Sequence, residues 1–144
     1  SYYFAYIFTL FRTYNLMFEF KLKIYYEDTD SGGVVYYANY LKFTERARTS
    51  LINDLGFSLK KLSEDYDCLF IVKKMNCDYL HSARLEDELI VQSKFLKINN
   101  ASFDLEQNIL RNDQIIFTSE ITMVCISPLG QPKKIPQDLK FLFK

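Results

Sequence analysis

The part of the chain between residues 68 and 126 constrains the fold most, because it holds four strand-like segments with almost nothing between the last three. The segments are 68–79, 87–97, 101–111 and 114–126, each rich in β-branched or aromatic residues. Asn99-Asn100 and Asn112-Asp113 separate the later three. Turns that short join antiparallel neighbours, so these strands are expected to form a meander. Ahead of them, Phe18, Phe20, Leu22, Ile24 and Tyr26 alternate with Glu19, Lys21, Lys23 and Tyr25, which predicts a strand over 18–26 with one buried face. Between lie Tyr40, Phe43, Ala47, Leu51 and Leu55 at spacings of three and four, with Lys42, Glu45, Arg46, Arg48 and Asn53 on other faces. That is an amphipathic helix, and Gly56 stands where a left-handed residue would end it. After the polar turn at 127–134, Pro136 is expected to open a short terminal helix. One strand, one long helix and a run of strands predict an α+β fold with the helix packed on one face of an antiparallel sheet.

A chain of 144 residues with 49% apolar content suits one domain with a single core. Eighteen basic and eighteen acidic side chains cancel, so no overall field draws the chain to nucleic acid or an anionic membrane. A charged ligand must therefore meet a local patch. Cys68, Cys77 and Cys125 are odd in number and lie far apart in apolar runs, which argues against a disulfide framework and for a reducing cytoplasm. With His81 as the sole histidine and no Cys-x-x-Cys, no metal site is expected, nor any cofactor. Residues 1–16 read as an extension of uncertain status before a domain at 17–144. Their apolar run is too short to span a bilayer and lacks the charge order of a signal peptide.

For chemistry, the chain has no Gly-x-Gly-x-x-Gly, no phosphate-binding glycine loop and no Gly-x-Ser-x-Gly elbow. His81 and Ser82, with Asp78 nearby, are neighbours on an extended segment and point to opposite faces, a poor arrangement for a proton relay. His81 reads as an exposed turn residue. The acidic loop Glu27-Asp28-Thr29-Asp30-Ser31-Gly32-Gly33 is more informative because it runs into the start of the long helix. A helix start carries unpaired amides and partial positive charge, which polarise a carbonyl and stabilise an oxyanion. Asp30 with the amides near residues 36–38 would then form a minimal acyl-transfer site. An Asx turn or a helix cap accounts for the same carboxylates equally well.

The run from Tyr25 through Arg48, which contains Asp28-Thr29-Asp30-Ser31-Gly32-Gly33-Val34-Val35-Tyr36-Tyr37, closely resembles the signature of hotdog-fold thioesterases of the hydroxybenzoyl-CoA type. More narrowly it is similar to the acyl-CoA thioesterases associated with the bacterial Tol-Pal system. Phe70-Ile71-Val72-Lys73-Lys74-Met75 and the region of Ala83-Arg84-Leu85 and Asp87 extend the resemblance, which covers roughly residues 22–136. It implies a hotdog fold, an antiparallel sheet curled around one central helix. It also implies a homodimer or homotetramer with sites at a subunit interface, and hydrolysis of acyl-coenzyme A. Asp30 is then the catalytic carboxylate, as nucleophile or as base for water. Tyr37 would begin the central helix and supply the amide that polarises the thioester carbonyl.

Gly33, Val35 and Tyr36 join the expected substrate-binding residues. Lys73, Lys74 and Arg84 are candidates for the coenzyme A phosphates, although solvated strand edges explain them nearly as well. Tyr37 departs from Tol-Pal-associated relatives, which usually carry histidine there, and Ser82 replaces a common proline. Glu45 reads as a surface partner of Arg48 and Thr49, and Tyr40 and Phe43 as core. Two rivals remain: a hotdog dehydratase or hydratase, which pairs an acid with a histidine absent from this loop, and a non-catalytic hotdog subunit that binds acyl carrier or envelope-associated partners.

Overall fold

The computed structural model describes residues 16–143; the expected extension, apart from Leu16, lies outside the described residues. Five strands, β1 (Phe18–Lys23), β2 (Leu69–Tyr79), β3 (Glu88–Ile98), β4 (Ser102–Arg111) and β5 (Gln114–Ile126), form one antiparallel sheet in the order β1-β3-β4-β5-β2. The expected meander is β3-β4-β5, and its second turn uses Asn112 and Asp113, both with positive φ. Register shifts at Val72/Lys74, Phe95/Lys97 and Ile109/Leu110 are bulges of the kind that bend strands. The sheet curls over the long helix α1 (Asn39–Asp54), which buries Tyr40, Phe43, Ala47 and Leu51 as the spacing predicts. Leu55 caps α1 and Gly56 follows it at φ +89°.

Three details differ from the sequence expectation. The first strand stops at Lys23 instead of Tyr26, because Asp28 Oδ2 accepts the Tyr25 amide at 2.9 Å and winds Tyr26–Asp28 into a 3-10 turn. A second helix, α2 (Leu59–Tyr66), follows α1 where no helix was expected. Ser58 caps it by accepting the Lys61 amide, and only Leu62 of its residues is buried. The predicted strand beginning at Cys68 becomes the sheet's open edge, paired with β5 and not with the next strand in sequence. The terminal helix is present as α3 (Gln137–Lys140), capped by Pro136.

The core divides along α1. Tyr40, Phe43 and Ala47 pack with Ile24, Val35, Leu89, Ile109 and Phe117, whereas Leu51 and Ile52 pack with Leu62, Phe103, Leu105, Ile121, Cys125 and Leu139. Gln107 sits on β4 between the two groups, fully buried. Its Nε2 donates to the Thr44 carbonyl and to Ser93 Oγ, both at 3.0 Å, and its Oε1 accepts from Arg48 at 3.0 Å. A buried amide satisfied on this many sides costs little and fixes the rotation of α1 over the sheet.

Candidate functional site

Residues 28–38 fold back on themselves before α1 begins. The Asp30 amide donates to the Val34 carbonyl at 2.9 Å and the Gly33 amide to the Asp30 carbonyl at 3.0 Å, closing a tight loop in which Gly33 takes φ +77°. Asp30 Oδ1 accepts the Gly32 amide at 2.8 Å, and a methyl group at Gly32 would lie 3.1 Å from that oxygen. The Asx-turn reading of the loop is thus part of its geometry. Among the described residues Oδ2 of Asp30 has no hydrogen-bond partner, and the side chain is exposed. A carboxylate held by one oxygen with the other turned to solvent is oriented and still available.

Two long-range ties set this loop on the molecule. Val35 donates to the Ala83 carbonyl, and Ala83 in turn donates to the buried Tyr40 hydroxyl at 3.0 Å. Asn39 Nδ2 donates to the Asp28 carbonyl at 2.9 Å, so the first residue of α1 clamps the loop that precedes it. Burial pushes the Tyr40 hydroxyl pKa up, the Ala83 amide opposing it, so the hydroxyl stays protonated as the loop's anchor.

Tyr37 does not begin the helix: α1 starts at Asn39, with Tyr37 and Ala38 in the turn before it. The reason lies in their carbonyls. The Tyr36 carbonyl accepts the Asn39 amide at 2.9 Å, and the Tyr37 carbonyl accepts the Tyr79 hydroxyl at 3.0 Å instead of a helical amide. In a trans peptide N–H and C=O point opposite ways. Pinning the two carbonyls therefore aims the amides of Tyr37 and Ala38 the other way, and among the described residues neither amide has an acceptor. These are two fixed, unpaired donors next to the Asp30 loop.

Three tyrosines frame the donors. Tyr36 and Tyr37 meet edge-on with ring centres 4.9 Å apart, and Tyr37 meets Tyr79 at 6.2 Å. The Tyr36 hydroxyl pKa is raised, first by Tyr37 and last by the Asp30 carboxylate, which places Asp30 within electrostatic reach of it. Burial, followed by Cys77, pushes the Tyr79 pKa up to about 12. Tyr79 therefore remains a donor across the neutral range.

The fold thus brings together Asp30, Gly33, Val35, Tyr36 and Tyr37. Arg84 is nearby through Ala83; its amide donates to Asp87 Oδ2 and its side chain is exposed. Lys73 and Lys74 are not brought in: they lie on the exposed edge strand five and six residues from Tyr79, roughly 17–20 Å along β2. Glu45 is exposed and accepts from Thr49 at 3.2 Å, as expected, whereas Arg48 turns inward to Gln107. Burial lowers the Arg48 pKa, with Glu45 opposing. His81 is exposed at the end of β2, its amide donating to the Ile116 carbonyl. Sequence reasoning missed Tyr79, Asn39 and Arg111. Arg111 ties down the Arg84 loop through Asp87 Oδ2 at 2.9 Å and the Ser82 carbonyl at 2.8 Å. No cluster of three or more His, Cys, Asp or Glu able to hold a metal occurs among the described residues.

Chemically, the loop offers an oriented carboxylate and a pair of amides for a developing negative oxygen. The model of the thioesterase-like superfamily matches residues 25–142. The acyl-CoA thioesterase YbgC of Haemophilus influenzae is 38% identical over 128 residues, covering 88% of this chain and 93% of that protein. The acyl-CoA thioester hydrolase YbgC of Escherichia coli O157:H7 is 35% identical over 130 residues, covering 89% and 96%. Among solved structures, a probable thioesterase from Bartonella henselae superposes with a TM-score of 0.82 at 29% identity, over 84% of this chain and all of that one.

Proposed function

The chain belongs to the thioesterase-like superfamily and is an acyl-coenzyme A thioester hydrolase, and we propose that Asp30 is its reacting carboxylate, with the Tyr37 and Ala38 amides as oxyanion donors. One observation carries the assignment. Two amides aimed by their own pinned carbonyls stand beside a carboxylate with one free oxygen. Hydrolysis needs both parts, an attacking group and a fixed dipole where the carbonyl oxygen becomes negative.

In the base form of the reaction, Asp30 takes a proton from water as its oxygen bonds to the thioester carbon. The tetrahedral oxyanion rests on the two amides, the C–S bond breaks, and the proton passes to the coenzyme A thiolate. In the nucleophilic form Asp30 itself bonds to the carbon, releasing the thiolate and leaving an anhydride that water then cleaves. Tyr36 and Gly33 border either path, and Val35 holds the loop in place. Tyr37 contributes its backbone, so a histidine is not required at that position.

Arg84, exposed beside the loop, suits a coenzyme A phosphate. Lys73 and Lys74 stand too far along β2 to share Asp30's site in one chain, so in this reading they serve a site completed by a second copy. An open edge strand with Leu69, Ile71 and Val72 exposed supports self-association as a homodimer, with a homotetramer as its doubled form. Three free cysteines fit a cytoplasmic enzyme, and no helix among the described residues is long and apolar enough to cross a membrane. A role in lipid metabolism beside the Tol-Pal system follows from the same resemblance.

Steady-state hydrolysis of short, long and aromatic acyl-coenzyme A by the parent and by Asp30→Asn tests the proposal. The parent is expected to turn over at least one class, and the variant to lose that activity. An Asp30→Asn protein with full activity would overturn the assignment.

A further inference from the structure

The Asp30 loop hangs at both ends from one short segment of chain. Upstream, the Ile24 amide donates to the Asp87 carbonyl at 2.9 Å, and the Ile24 carbonyl accepts the Glu86 amide at 3.0 Å. Downstream, the Val35 amide donates to the Ala83 carbonyl at 2.9 Å. Residues 83–87 belong to no helix or strand, and Glu86 takes φ +67°, a left-handed conformation that residues with a side chain seldom adopt. Such a segment does not hold its shape unaided, so something else must fix where the loop stands.

An ion pair does so. Arg111, the last residue of β4, donates from one terminal nitrogen to Asp87 Oδ2 at 2.9 Å and to the Ser82 carbonyl at 2.8 Å. The same Oδ2 accepts the Arg84 amide at 2.8 Å, and the Asp87 amide donates back to the Arg84 carbonyl at 3.1 Å. Both ends of the 82–87 turn are thus tied to one guanidinium, and through it to the meander. Only 24% of the Arg111 side chain and 26% of the Asp87 side chain are exposed. A fully solvated pair would contribute little, whereas one that is mostly buried and shared with backbone groups holds a fixed geometry. The Ala83 amide also rests on the Tyr40 hydroxyl at 3.0 Å, so α1 holds the segment as well.

We propose that Arg111 and Asp87 are positioning residues of the reaction: they set the place of the Asp30 carboxylate against the Tyr37 and Ala38 amides, acting through the Ile24 and Val35 hydrogen bonds. The inference rests on Asp30 as the reacting carboxylate and adds what keeps it in register. The two halves of the site hang from different strands. Tyr79 on β2 pins the Tyr37 carbonyl and so aims the donor amides, whereas Arg111 on β4 fixes the segment that carries the Asp30 loop. Loss of the ion pair therefore shifts one half against the other. A displacement of about 1 Å between reacting groups costs on the order of 100-fold in rate.

The test uses Arg111→Met, which keeps the apolar stem and removes the donors, and Asp87→Ala, which removes the acceptor. Asp30→Asn and the double variant Asp30→Asn with Arg111→Met complete the set. At a saturating acyl-coenzyme A, kcat is expected to fall about tenfold or more in Arg111→Met and in Asp87→Ala. In the Asp30→Asn background the added Arg111→Met should cost less than about twofold, because a residue that acts through Asp30 has nothing left to position. A merely structural residue would cost the same factor in both backgrounds. Site-resolved hydrogen exchange gives an independent readout: the Ile24 and Val35 amides should exchange about tenfold faster in Arg111→Met, with the centre of the sheet unchanged. Parent-like kcat in either folded variant, an equal factor in both backgrounds, or unchanged exchange at Ile24 and Val35 overturns the positioning role and leaves the Asp30 assignment standing. If neither Arg111→Met nor Asp87→Ala folds, the pair is a folding element and the proposal falls. Full activity in Asp30→Asn marks the failure of the Asp30 assignment itself, and this inference falls with it.

Discussion

The two ends of α1 are built by opposite means. At its start, an exposed loop is held by hydrogen bonds, among Asp30, Gly32, Gly33 and Val34 themselves and from the Val35 amide to the Ala83 carbonyl. At its far end, Leu51 and Ile52 are buried by side chains from β4, β5, α2 and the segment from Ile135 to Phe143. Local hydrogen bonding sets groups in place but buries little apolar surface. Long-range packing does the reverse. Chemistry and stability should therefore separate along this one helix, and substitutions at its two ends should fail in different ways.

The largest effect is expected at the start. Asp30→Asn keeps the loop's shape, since an amide oxygen can still accept from Gly32, but removes the charge. Loss of a general base or carboxylate nucleophile lowers kcat by about 100- to 10,000-fold. The urea midpoint should move little, because the side chain is exposed. A drop in stability matching the drop in rate would erase the contrast between the two ends.

Leu62→Ala is the complementary change. Leu62 is fully buried on α2 and touches no part of the candidate site. Its truncation should cost about 2–5 kcal/mol of unfolding free energy, read from urea denaturation. Activity per folded molecule should persist below the transition. If kcat falls as far as it does in Asp30→Asn, the far end is coupled to the chemistry and the division is false.

A smaller effect tests how the donor amides are aimed. Tyr79→Phe removes the hydroxyl that holds the Tyr37 carbonyl and leaves the ring packed on Tyr37 and Phe117. One hydrogen bond of this kind is worth about 1 kcal/mol, so kcat should fall roughly fivefold. KM should stay nearly constant, since the loss concerns a charge that exists only during reaction. An equal rise in KM with constant kcat would make Tyr79 part of substrate binding instead.

The same division explains what could be read from the sequence. α1 and the β3-β4-β5 meander were legible because their signals are local: a three-and-four spacing, a period of two, and paired turn residues. Asp30 was legible as a carboxylate ahead of a helix. Tyr79 was not, because its hydroxyl reaches a carbonyl 42 residues away. The pairing of β2 with β5 is equally non-local, and no pattern within β2 announces its partner. α2 was missed although Ser58 signalled its start. Eight residues with one buried position present too little periodicity to stand out. The first strand ends before Tyr25 and Tyr26, which suit a strand by type, because the cap from Asp28 overrides them.

The smallest expected effect lies in the alkaline range and also turns on Tyr79. An unfolded tyrosine loses its proton near pH 10. In the folded protein Tyr79 keeps its proton up to about 12, because burial and then Cys77 oppose its ionisation. Below pH 10 both states are protonated and the contribution is fully present. Between about pH 10 and 12 only the unfolded state ionises, so the folded state holds more protons and stability falls as pH rises. Tyr40, whose pKa is also raised by burial, adds a fall of the same sign. Urea midpoints taken across this range should decline in the parent and decline less steeply in Tyr79→Phe, because one of the contributing groups is gone. Identical slopes would mean that the Tyr79 hydroxyl is no better protected in the fold than in the unfolded chain.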